Sequence, residues 1–476
     1  MSVKWEIRKR VLETVSSGSP LFSYFPRPAL ILPMGIENEF GVGQKDGEAD
    51  IDAAKLWRVW RNGARSYRDC DHVEFCTGEC EGALRVAVAS EASKAICWES
   101  GFSPWLDNHS CDGKGHTFGG VHENYARRAP RSQWPLMAPY LVARVLFDGA
   151  GCVDGDGRYQ LSQRADYIVA ATGGDTPMRR VIITDRAESL ITIHGWDRLH
   201  IICGDPHMSP MNTFLTVGMT GMVGELMDMG VLPRVDYNLD SAVTDMRALS
   251  RSVRSWDPVA ARSEWFLKGV KNGPRGALEL LKRYLRVAEA YFAGRDTVTD
   301  AILVLVEDTL QKLGKDPWKL RNRLDWVIKL DILNTFYNAQ RDDEWIQSQD
   351  FEYHLIGAKE FDGTTRRGLY AFLAERGCVE QLFSHGLLKE AILEPSPHTR
   401  AFFRGRVAQM IEEEFCEDWY LNVIGACWYM LQFLPKRNNS SGFIAYTGDP
   451  FRTYREYLPR VRAILCGDAP MQDIRM

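Results

Sequence analysis

The first strong pattern along the chain is an alternating one, at residues 34–42. This segment reads Met-Gly-Ile-Glu-Asn-Glu-Phe-Gly-Val, and in a β-strand successive side chains point to opposite faces. Glu37 and Glu39 then share one face, and the residues next to them share the other. The pattern predicts a strand that buries one face and carries two neighbouring carboxylates on the other.

A second strand-like run follows at 62–79, and its polar side chains alternate as well. Three of them would project to one side as a donor, a phenol and a carboxylate: Arg65, Tyr67 and Asp69. Glu74 and Thr77 would point to opposite faces of an unbroken strand, so a shared site requires a bend or turn between them. A solvated strand surface with ion pairs is the alternative interpretation of this run.

Beyond these runs, strands and helices separate along the chain. Further predicted strands lie early: 159–171, 180–184 and 199–203. Predicted helices have apolar residues three and four apart: 83–98, 134–147, 212–229, 241–253, 276–292, 297–313 and 318–337. The most apolar stretch, 419–435, is interpreted as a buried helix that is too short to cross a bilayer. Strands early and helices late predict an α+β fold with a curved, largely antiparallel sheet and helices packed on one side.

Composition and charge then narrow the functional classes. Apolar residues make up 45% of the chain and charged residues 25%, which are ordinary globular values. The net charge of -5 offers no general attraction to nucleic acid or to an anionic membrane. Eleven cysteines without a dense framework favour a reducing compartment, so we expect a cytoplasmic protein. Residues 1–30 carry charges throughout and are interpreted as an N-terminal extension rather than a signal peptide.

The paired carboxylates point to a metal site. Two carboxylates on one strand face repel each other, and a divalent cation reverses the sign of that interaction. Oxygen ligands suit Mg²⁺, which is typically held by a few carboxylates together with substrate phosphates. A glycine pair leads into His122, which adds an imidazole, although a structural histidine is the alternative. Zinc is disfavoured because the sulfur and imidazole groups of the second run lack a paired C-x-x-C: Cys70, Cys76, Cys80 and His72.

Taken in order, the motifs resemble the Pup ligase and depupylase family, relatives of glutamine synthetase and other carboxylate-amine ligases. The matching segments are Met34–Gly41, Arg61–Arg65 with Tyr67 and Asp69, Glu74–Cys80, His122–Tyr125, Leu161–Ala165, Arg198–His200 with Gly204 and Asp205, Met208–Ser209, Asp325–Lys329, Thr399–Ala401, Asp418–Trp419 and Asp449–Arg452. The resemblance implies a glutamine-synthetase-like catalytic domain. Proline and glycine residues near 395–405 mark a boundary, so we expect this domain over 31–404 and a small C-terminal domain over 405–476.

The resemblance also implies a reaction and residue roles. ATP and Mg²⁺ would serve to phosphorylate the γ-carboxylate of a C-terminal glutamate on a Pup-like modifier, and a lysine amine of an acceptor protein would then attack. The implied Mg²⁺ ligands are Glu37, Tyr67, Glu74 and His122. The implied ATP contacts are Arg65, Thr77 and, from the C-terminal domain, Trp419. Asp69 is the implied catalytic carboxylate, and Arg164 and Asn124 are implied as phosphate or substrate contacts.

Two features favour the ligase branch, one in the first motif and one in the segment that follows it. It reads Met-Gly-Ile-Glu-x-Glu-Phe-Gly, as ligases do, where depupylases typically have Gly-Thr-Glu-x-Glu-Tyr-Gly. Depupylases also carry a long loop soon after this motif, whereas only the short segment 43–61 lies here. A depupylase or deamidase that uses the same site is the alternative.

Departures from the family leave the acyl substrate open. Asn38 stands where both branches usually have Thr, the segment after the first motif is short, and an N-terminal extension precedes it. A ligase that acts on a small amino acid or peptide is therefore a second alternative. A third is a catalytically silent modifier-binding protein, which the complete set of implied site residues argues against.

Overall fold

The computed structural model describes residues 3–45, 48–56, 58–70, 72–111, 117, 119–174, 179–186, 191, 193–253, 256–338, 342–360, 362–423, 430–436 and 442–476. The strands are β1 (Met34–Val42), β2 (Gln44–Lys45), β3 (Glu48–Ala49), β4 (Arg58–Val59), β5 (Arg65–Asp69), β6 (His72–Cys76), β7 (Trp105–Asp107), β8 (Val121–Arg127), β9 (Cys152–Val153), β10 (Tyr159–Gln160), β11 (Ile168–Gly173), β12 (Arg180–Thr184), β13 (Asp197–Gly204), β14 (Asp236–Tyr237), β15 (Val270–Asn272), β16 (Leu355–Lys359), β17 (Thr365–Arg366), β18 (Trp419–Val423), β19 (Met430–Pro435), β20 (Phe443–Tyr446) and β21 (Ile474–Arg475).

The helices are α1 (Val3–Ser16), α2 (Ala53–Leu56), α3 (Ala83–Ser100), α4 (Ala138–Ala143), α5 (Val145–Asp148), α6 (Pro210–Asp228), α7 (Ala242–Ser250), α8 (Pro258–Ala261), α9 (Ala277–Phe292), α10 (Thr297–Lys315), α11 (Asp325–Asn338), α12 (Asp343–His354), α13 (Leu369–Glu375), α14 (His385–Leu393), α15 (Ala401–Glu414) and α16 (Leu458–Cys466). Among these described helices, none combines the length and apolar character that a membrane crossing requires.

A large sheet forms the centre of the molecule. Its main strand order is β11-β12-β13-β8-β1-β6-β5-β4, and β7, β16 and β17 extend it beyond the end of β1. The pair β11–β12 is parallel, and the other pairs described in this sheet are antiparallel. The expected α+β fold with a largely antiparallel sheet is confirmed.

One face of the sheet is covered by helices. Ile36 and Phe40 of β1 enter the main hydrophobic core, and α3 and α6 pack against β1 and β8 there. On the same face, the Asn38 amide donates a hydrogen bond to Ser93 Oγ of α3, at 2.9 Å. The alternation predicted for β1 is thereby confirmed, and its opposite face is left for Glu37 and Glu39.

A second hydrophobic core lies in the C-terminal part of the chain. It joins α15 and α16 to a four-stranded sheet of order β18-β19-β20-β21. The helix expected over 419–435 is wrong, because β18 and β19 form an antiparallel pair there. In β18, Trp419 and Val423 are buried while Tyr420 and Asn422 are exposed, which is the period of two that a strand requires. A short apolar run does not by itself distinguish a helix from a strand.

Other expected elements are subdivided in the structure. The run 62–79 contains two strands, β5 and β6, which reverse direction after Cys70, a residue with φ of 50°. The helix expected over 134–147 is split into a 3₁₀ turn, α4 and α5, and the one over 318–337 into a 3₁₀ turn and α11. The strand expected over 159–171 is β10 and β11 with a 3₁₀ turn between them.

Candidate active site

The polar face of β1 meets a matching polar face on β6. In the antiparallel register, Glu37 lies opposite Cys76 and Glu39 lies opposite Glu74. All four residues are at most 8% exposed. Like charges directly opposite each other destabilise an antiparallel pair, so this sheet places carboxylates where folding alone disfavours them.

Strand β5 extends this face with the three side chains predicted to share it. Arg65 is paired with Cys76, Tyr67 with Glu74, and Asp69 with His72 at the end of the hairpin. The Arg65 guanidinium carbon lies 4.5 Å from the centre of the Tyr67 ring, and the Tyr67 hydroxyl hydrogen-bonds with Glu74. The Asp69 side chain is 48% exposed, so it lies at the rim of the face rather than inside it.

Strands β8 and β13 complete the face on the other side of β1. His122 Nδ1 lies 3.1 Å from Glu37 Oε2, and the Asn124 amide donates to Glu37 Oε1 at 3.1 Å. From β13, His200 Nε2 lies 3.4 Å from Glu37 Oε2, and Arg198 donates to Asn124 Oδ1 at 3.0 Å. Glu37 is therefore the shared centre of this group.

The carboxylates of the face have opposite pKa shifts. Burial raises the pKa of Glu74, and the charges of Glu37 and Glu39 raise it further, to about 7. Burial also acts to raise the pKa of Glu39, but the charge of His122 and the hydrogen bond with His72 outweigh it and lower the pKa to about 2. Among these carboxylates, Glu74 is thus the one whose charge its neighbours do not compensate.

The two histidines beside Glu37 also differ. Burial alone would lower the pKa of His122, but the Glu39 and Glu37 carboxylates outweigh it and raise the pKa to about 9. Burial, followed by the charge of Arg198, lowers the pKa of His200 to about 4. His200 is thus neutral at pH 7, with its Nε2 facing Glu37 Oε2.

Thr77 follows the end of β6, where the sequence requires a bend. Its Oγ1 accepts a hydrogen bond from the backbone N–H of Ile36, at 3.1 Å. Thr77 and Glu37 both line a cavity of about 510 Å³, together with Arg198 and Arg400. The shared cavity brings Thr77 and Glu37 together, while the bend expected between Glu74 and Thr77 stays a prediction, since the backbone of Thr77 still pairs with Ile36 of β1.

Arg164 is buried beside the site, where its charge acts on Glu39 and His122, and its expected contact with phosphate or substrate stays a prediction. Its guanidinium donates to the backbone oxygens of Gly119 and Ile202, and the residue is 2% exposed. A Cβ atom on Gly120 would lie 2.7 Å from the Arg164 guanidinium carbon, so glycine is required at this close approach. In this structure Arg164 supports the backbone that leads to His122.

Trp419 is placed in the second core. It is 8% exposed and packs edge-on against Phe443, with ring centres 6.0 Å apart. The contacts described for Trp419 therefore belong to the C-terminal sheet, and its expected contact with ATP stays a prediction.

The donor set fits a hard divalent cation. The ligand atoms of Glu37, His122 and His200 lie within 4.8 Å of one another, and so do those of Glu37, Glu74 and Cys76. Carboxylate oxygens are the ligands that Mg²⁺ prefers, and a cation would offset the repulsion that raises the pKa of Glu74.

Two further residues of this face had no assigned role in the sequence interpretation: Arg198 and His200. A signal for them exists in the sequence, since they alternate at the start of the predicted strand 199–203 as Arg65 and Tyr67 do in theirs. Their position beside Glu37 depends on the pairing of β13 with β8, which alternation alone does not give. The group suspected for zinc does not form, because Cys76 lies with glutamates and the Cys70 side chain is exposed.

Comparison with known proteins identifies the family. A family model described as Pup-ligase protein matches residues 40–430. A Pup–protein ligase of Kineococcus radiotolerans is 32% identical over 433 residues, which cover 81% of this chain and 91% of that protein. A depupylase of Acidothermus cellulolyticus is 34% identical over 386 residues, which cover 75% of this chain and 73% of that protein. The chain belongs to the Pup ligase family.

Solved structures show the same fold. The ligase PafA in complex with the prokaryotic ubiquitin-like protein Pup matches with a TM-score of 0.75 and 22% identity, over 93% of this chain and 94% of that one. PafA in complex with ADP matches with a TM-score of 0.69, over 87% of this chain and 90% of that one.

Proposed function

We propose that this protein is an ATP- and Mg²⁺-dependent ligase that joins the C-terminal glutamate of a Pup-like modifier to lysines of acceptor proteins. The observation that carries the proposal is the group of three buried carboxylates on one sheet face, beside a cavity, in a chain of the Pup ligase family. Metal-assisted phosphoryl transfer uses such a face, because the bound cation offsets the repulsion between the carboxylates and neutralises the phosphates.

The share of each relative that this chain matches favours the ligase branch over the depupylase branch. This chain matches 91% of the ligase from Kineococcus radiotolerans but 73% of the depupylase from Acidothermus cellulolyticus. The described part of segment 43–61 holds the short hairpin β2–β3, helix α2 and strand β4. The short connection after the first motif is consistent with the ligase branch.

In this proposal the carboxylate face binds the metal and the cavity receives the nucleotide. Glu37 and Glu74, with Tyr67 and His122 beside them, would hold Mg²⁺, which supplies charge neutralisation for the phosphates. Arg65 and Thr77 would contact ATP, and Trp419 would contribute from the C-terminal unit. Support for nucleotide binding comes from the fold shared with a ligase solved with ADP.

Asp69 would act on the acceptor lysine. A lysine amine must lose a proton before it attacks an acyl phosphate, and a carboxylate within reach can accept that proton. Asp69 suits this step because its half-exposed side chain lies at the rim, where a protein acceptor can approach. Asn124 and Arg198, which meet beside Glu37, would orient the carboxylate or phosphate that enters from the cavity.

The proposal extends to organisation and location. We propose the division into an extension 1–30, a catalytic domain 31–404 and a C-terminal domain 405–476. The second hydrophobic core supports a separate C-terminal unit, and it takes in α15 from Phe403 onward, so the proposed 404/405 boundary falls inside that helix. A cytoplasmic location is part of the proposal and rests on the cysteine composition.

A single assay tests the proposed function. Purified protein is incubated with MgATP, a Pup-type modifier that ends in glutamate, and a lysine-bearing acceptor, and conjugate and ADP are both measured. The ligase proposal predicts new conjugate with matching ADP. A parallel reaction starts from preformed conjugate, and its loss without net ATP use would assign the protein to the depupylase branch instead. Amide formation with a free amino acid but with no protein acceptor would assign a small-molecule ligase.

A further inference from the structure

Two buried cysteines contact each other outside the candidate active site. Cys111 follows β7 in the chain, and Cys152 lies in β9. The two residues are 4% and 5% exposed, and their thiols are hydrogen-bonded to each other. Neither thiol has a part in the proposed ligase chemistry. Two thiols in contact can be joined as a disulfide, in which the sulfurs lie about 2.05 Å apart.

An imidazole and a carboxylate stand next to Cys111. His109 Nδ1 lies 3.7 Å from Cys111 Sγ, and His109 Nε2 lies 3.4 Å from Asp350 Oδ1. Asp350 is held by Lys329 as well. His109 Nδ1 also lies 2.6 Å from the backbone oxygen of Cys111, so this nitrogen carries a proton. A thiol, an imidazole and a carboxylate in this order are the arrangement by which proteins activate a cysteine as a nucleophile.

The surroundings of Cys111 favour its thiolate form. The hydrogen bond with Cys152 is the largest cause that lowers the pKa of the Cys111 thiol, and the charge of His109 adds to it against the effect of burial, so this pKa falls to about 5. Burial acts to lower the pKa of His109, but the charges of Cys111 and Asp350 outweigh it and raise this pKa to about 10. The hydrogen bond with Cys111, followed by burial, raises the pKa of Cys152. Cys152 therefore presents a protonated thiol to a neighbouring thiolate.

We propose that Cys111 and Cys152 form a reversible disulfide when the protein meets a peroxide, with Cys111 as the residue that is oxidised first. The Cys111 thiolate attacks one oxygen of hydrogen peroxide: an S–O bond forms, the O–O bond breaks, and the hydroxide that leaves takes a proton from solvent. The Cys152 thiol then attacks the Cys111 sulfenic acid, so that an S–S bond forms and a second water leaves. The two sulfurs are oxidised and the peroxide is reduced, and a thiol reductant reverses the change. The inference does not depend on the proposed function.

The crosslink would join two segments that already contact the same loop. Gln163 Oε1 accepts hydrogen bonds from the backbone N–H and the hydroxyl of Ser110, both at 2.8 Å. Cys152 Sγ donates to the backbone oxygen of the neighbouring Ser162, at 3.6 Å. A bond from Cys111 to Cys152 closes a loop of about 40 residues in the unfolded chain. We therefore expect the oxidised protein to be more stable than the reduced protein.

Peptide mapping of the full-length protein tests the modification. The protein is treated with hydrogen peroxide, its remaining thiols are alkylated, and the digest is analysed by mass spectrometry. A crosslinked peptide that contains Cys111 and Cys152 is expected, and dithiothreitol is expected to remove it. Cys97→Ser is the matched control, because Cys97 is also buried and burial raises the pKa of its thiol. This variant is expected to form the crosslink as wild type does.

Dimedone, which traps sulfenic acids, tests the order of the two steps. Cys152→Ser lacks the second thiol, so peroxide is expected to leave a sulfenic acid on Cys111 that dimedone labels. Cys111→Ser lacks the thiol beside His109, and its Cys152 is expected to stay unlabelled.

Thermal unfolding tests the consequence for stability. Wild-type protein treated with peroxide is expected to melt at a temperature about 3 °C or more above that of protein treated with dithiothreitol. This difference is expected to vanish in Cys111→Ser and Cys152→Ser and to persist in Cys97→Ser.

Two results would overturn the inference. One is folded wild-type protein in which peroxide oxidises the exposed Cys378 but yields no peptide that joins Cys111 to Cys152. The other is a melting temperature that the crosslink leaves unchanged. Dimedone on Cys152 of Cys111→Ser, with none on Cys111 of Cys152→Ser, would contradict the order of oxidation. If the serine variants misfold, the wild-type peptide map decides the question, because it needs no substitution.

Discussion

Two buried groups of charged side chains in this protein differ in how their charges are compensated. The carboxylates of Glu37, Glu39 and Glu74 face one another on adjacent strands, and the pKa of Glu74 is raised to about 7. Behind them, Lys329 contacts Asp350 with 2.5 Å between Nζ and Oδ1, and the backbone N–H of Val153 donates to Asp350 Oδ2. Here burial acts to raise the pKa of Asp350, but the charge of Lys329 outweighs it and lowers the pKa to about 2.

The difference separates structural charges from functional ones. The Lys329–Asp350 pair is compensated within the chain, so it needs no ligand, and its histidine neighbours do not make it a metal site while the ammonium group is there. In the carboxylate face the charge of Glu74 is not compensated, because Glu37 and Glu39 raise its pKa to about 7. We therefore expect changes at the first group to alter stability and changes at the second to alter binding and catalysis.

The largest expected effect is on catalysis. Asp69→Asn should lower the rate of conjugation by about 100- to 10,000-fold, the usual contribution of a general base. Its unfolding free energy should stay within about 0.5 kcal/mol of wild type, because the side chain is half-exposed and lies at the rim. Initial rates of conjugation and urea denaturation measure the two quantities. Nucleotide affinity from calorimetry should be unchanged, and conjugation at the wild-type rate would remove Asp69 from the mechanism.

The largest expected effect on stability is at the compensated group. Lys329→Met removes the ammonium partner of the buried Asp350 carboxylate and leaves only His109 to compensate it, which should cost about 3 kcal/mol of unfolding free energy. Urea denaturation measures the loss. Lys282→Met is the control, since its pair with Glu279 lies near the surface and should matter by about 0.5 kcal/mol or less. Equal stability of the two variants would contradict the structural assignment of Lys329.

The dependence of unfolding free energy on pH gives a second test of the structural role of Lys329. Because the pKa of Asp350 is about 2 in the folded protein and about 3.9 when unfolded, its pairing stabilises fully above pH 4. That contribution, about 2 to 3 kcal/mol, should disappear as the pH falls from 4 to 2. Denaturation at a series of pH values should show that the unfolding free energy of Lys329→Met falls less steeply below pH 4 than that of wild type. If the unfolding free energies of the two proteins fell equally steeply below pH 4, Lys329 would not set the ionisation of Asp350.

The smallest expected effect is a gain in stability at the candidate site. At pH 8, above the pKa of about 7, Glu74 is charged, so Glu74→Gln removes one of two like charges that face each other across β1 and β6, and the metal-free protein should gain about 1 kcal/mol. Thermal unfolding in a chelator measures this gain. Added Mg²⁺ should raise the melting temperature of wild type but have less effect on the variant, because binding to the native state stabilises it. A variant less stable than wild type without metal would contradict the description of Glu74 as uncompensated.

The polar face could be predicted from the sequence because it depends on local alternation. Glu37 with Glu39, and Arg65 with Tyr67 and Asp69, share a face in any strand of those residues. Their assembly into one site also depends on the β5–β6 hairpin. The turn of this hairpin could not be predicted, because Cys70 adopts a left-handed backbone conformation that usually indicates a glycine. The resemblance to a known family supplied the order of motifs but not the contacts between them.

Two other features could not be predicted for physical reasons. The segment 419–435 is apolar enough for a buried helix or for strands, and only pairing with β20 and packing on α15 and α16 selects strands. Cys76 and His200 join Glu37 through the register of three different strand pairs, which long-range folding decides.

The most direct test of the account is whether the carboxylate face forms an acyl phosphate. The wild-type protein and Asp69→Asn are incubated with MgATP and the modifier, without an acceptor, and hydroxylamine is added to trap an activated carboxyl group. The account predicts a modifier hydroxamate and matching ADP from both proteins, with conjugation to an acceptor lost only in the variant. Absence of hydroxamate and ADP from a wild-type protein that binds both substrates would contradict it.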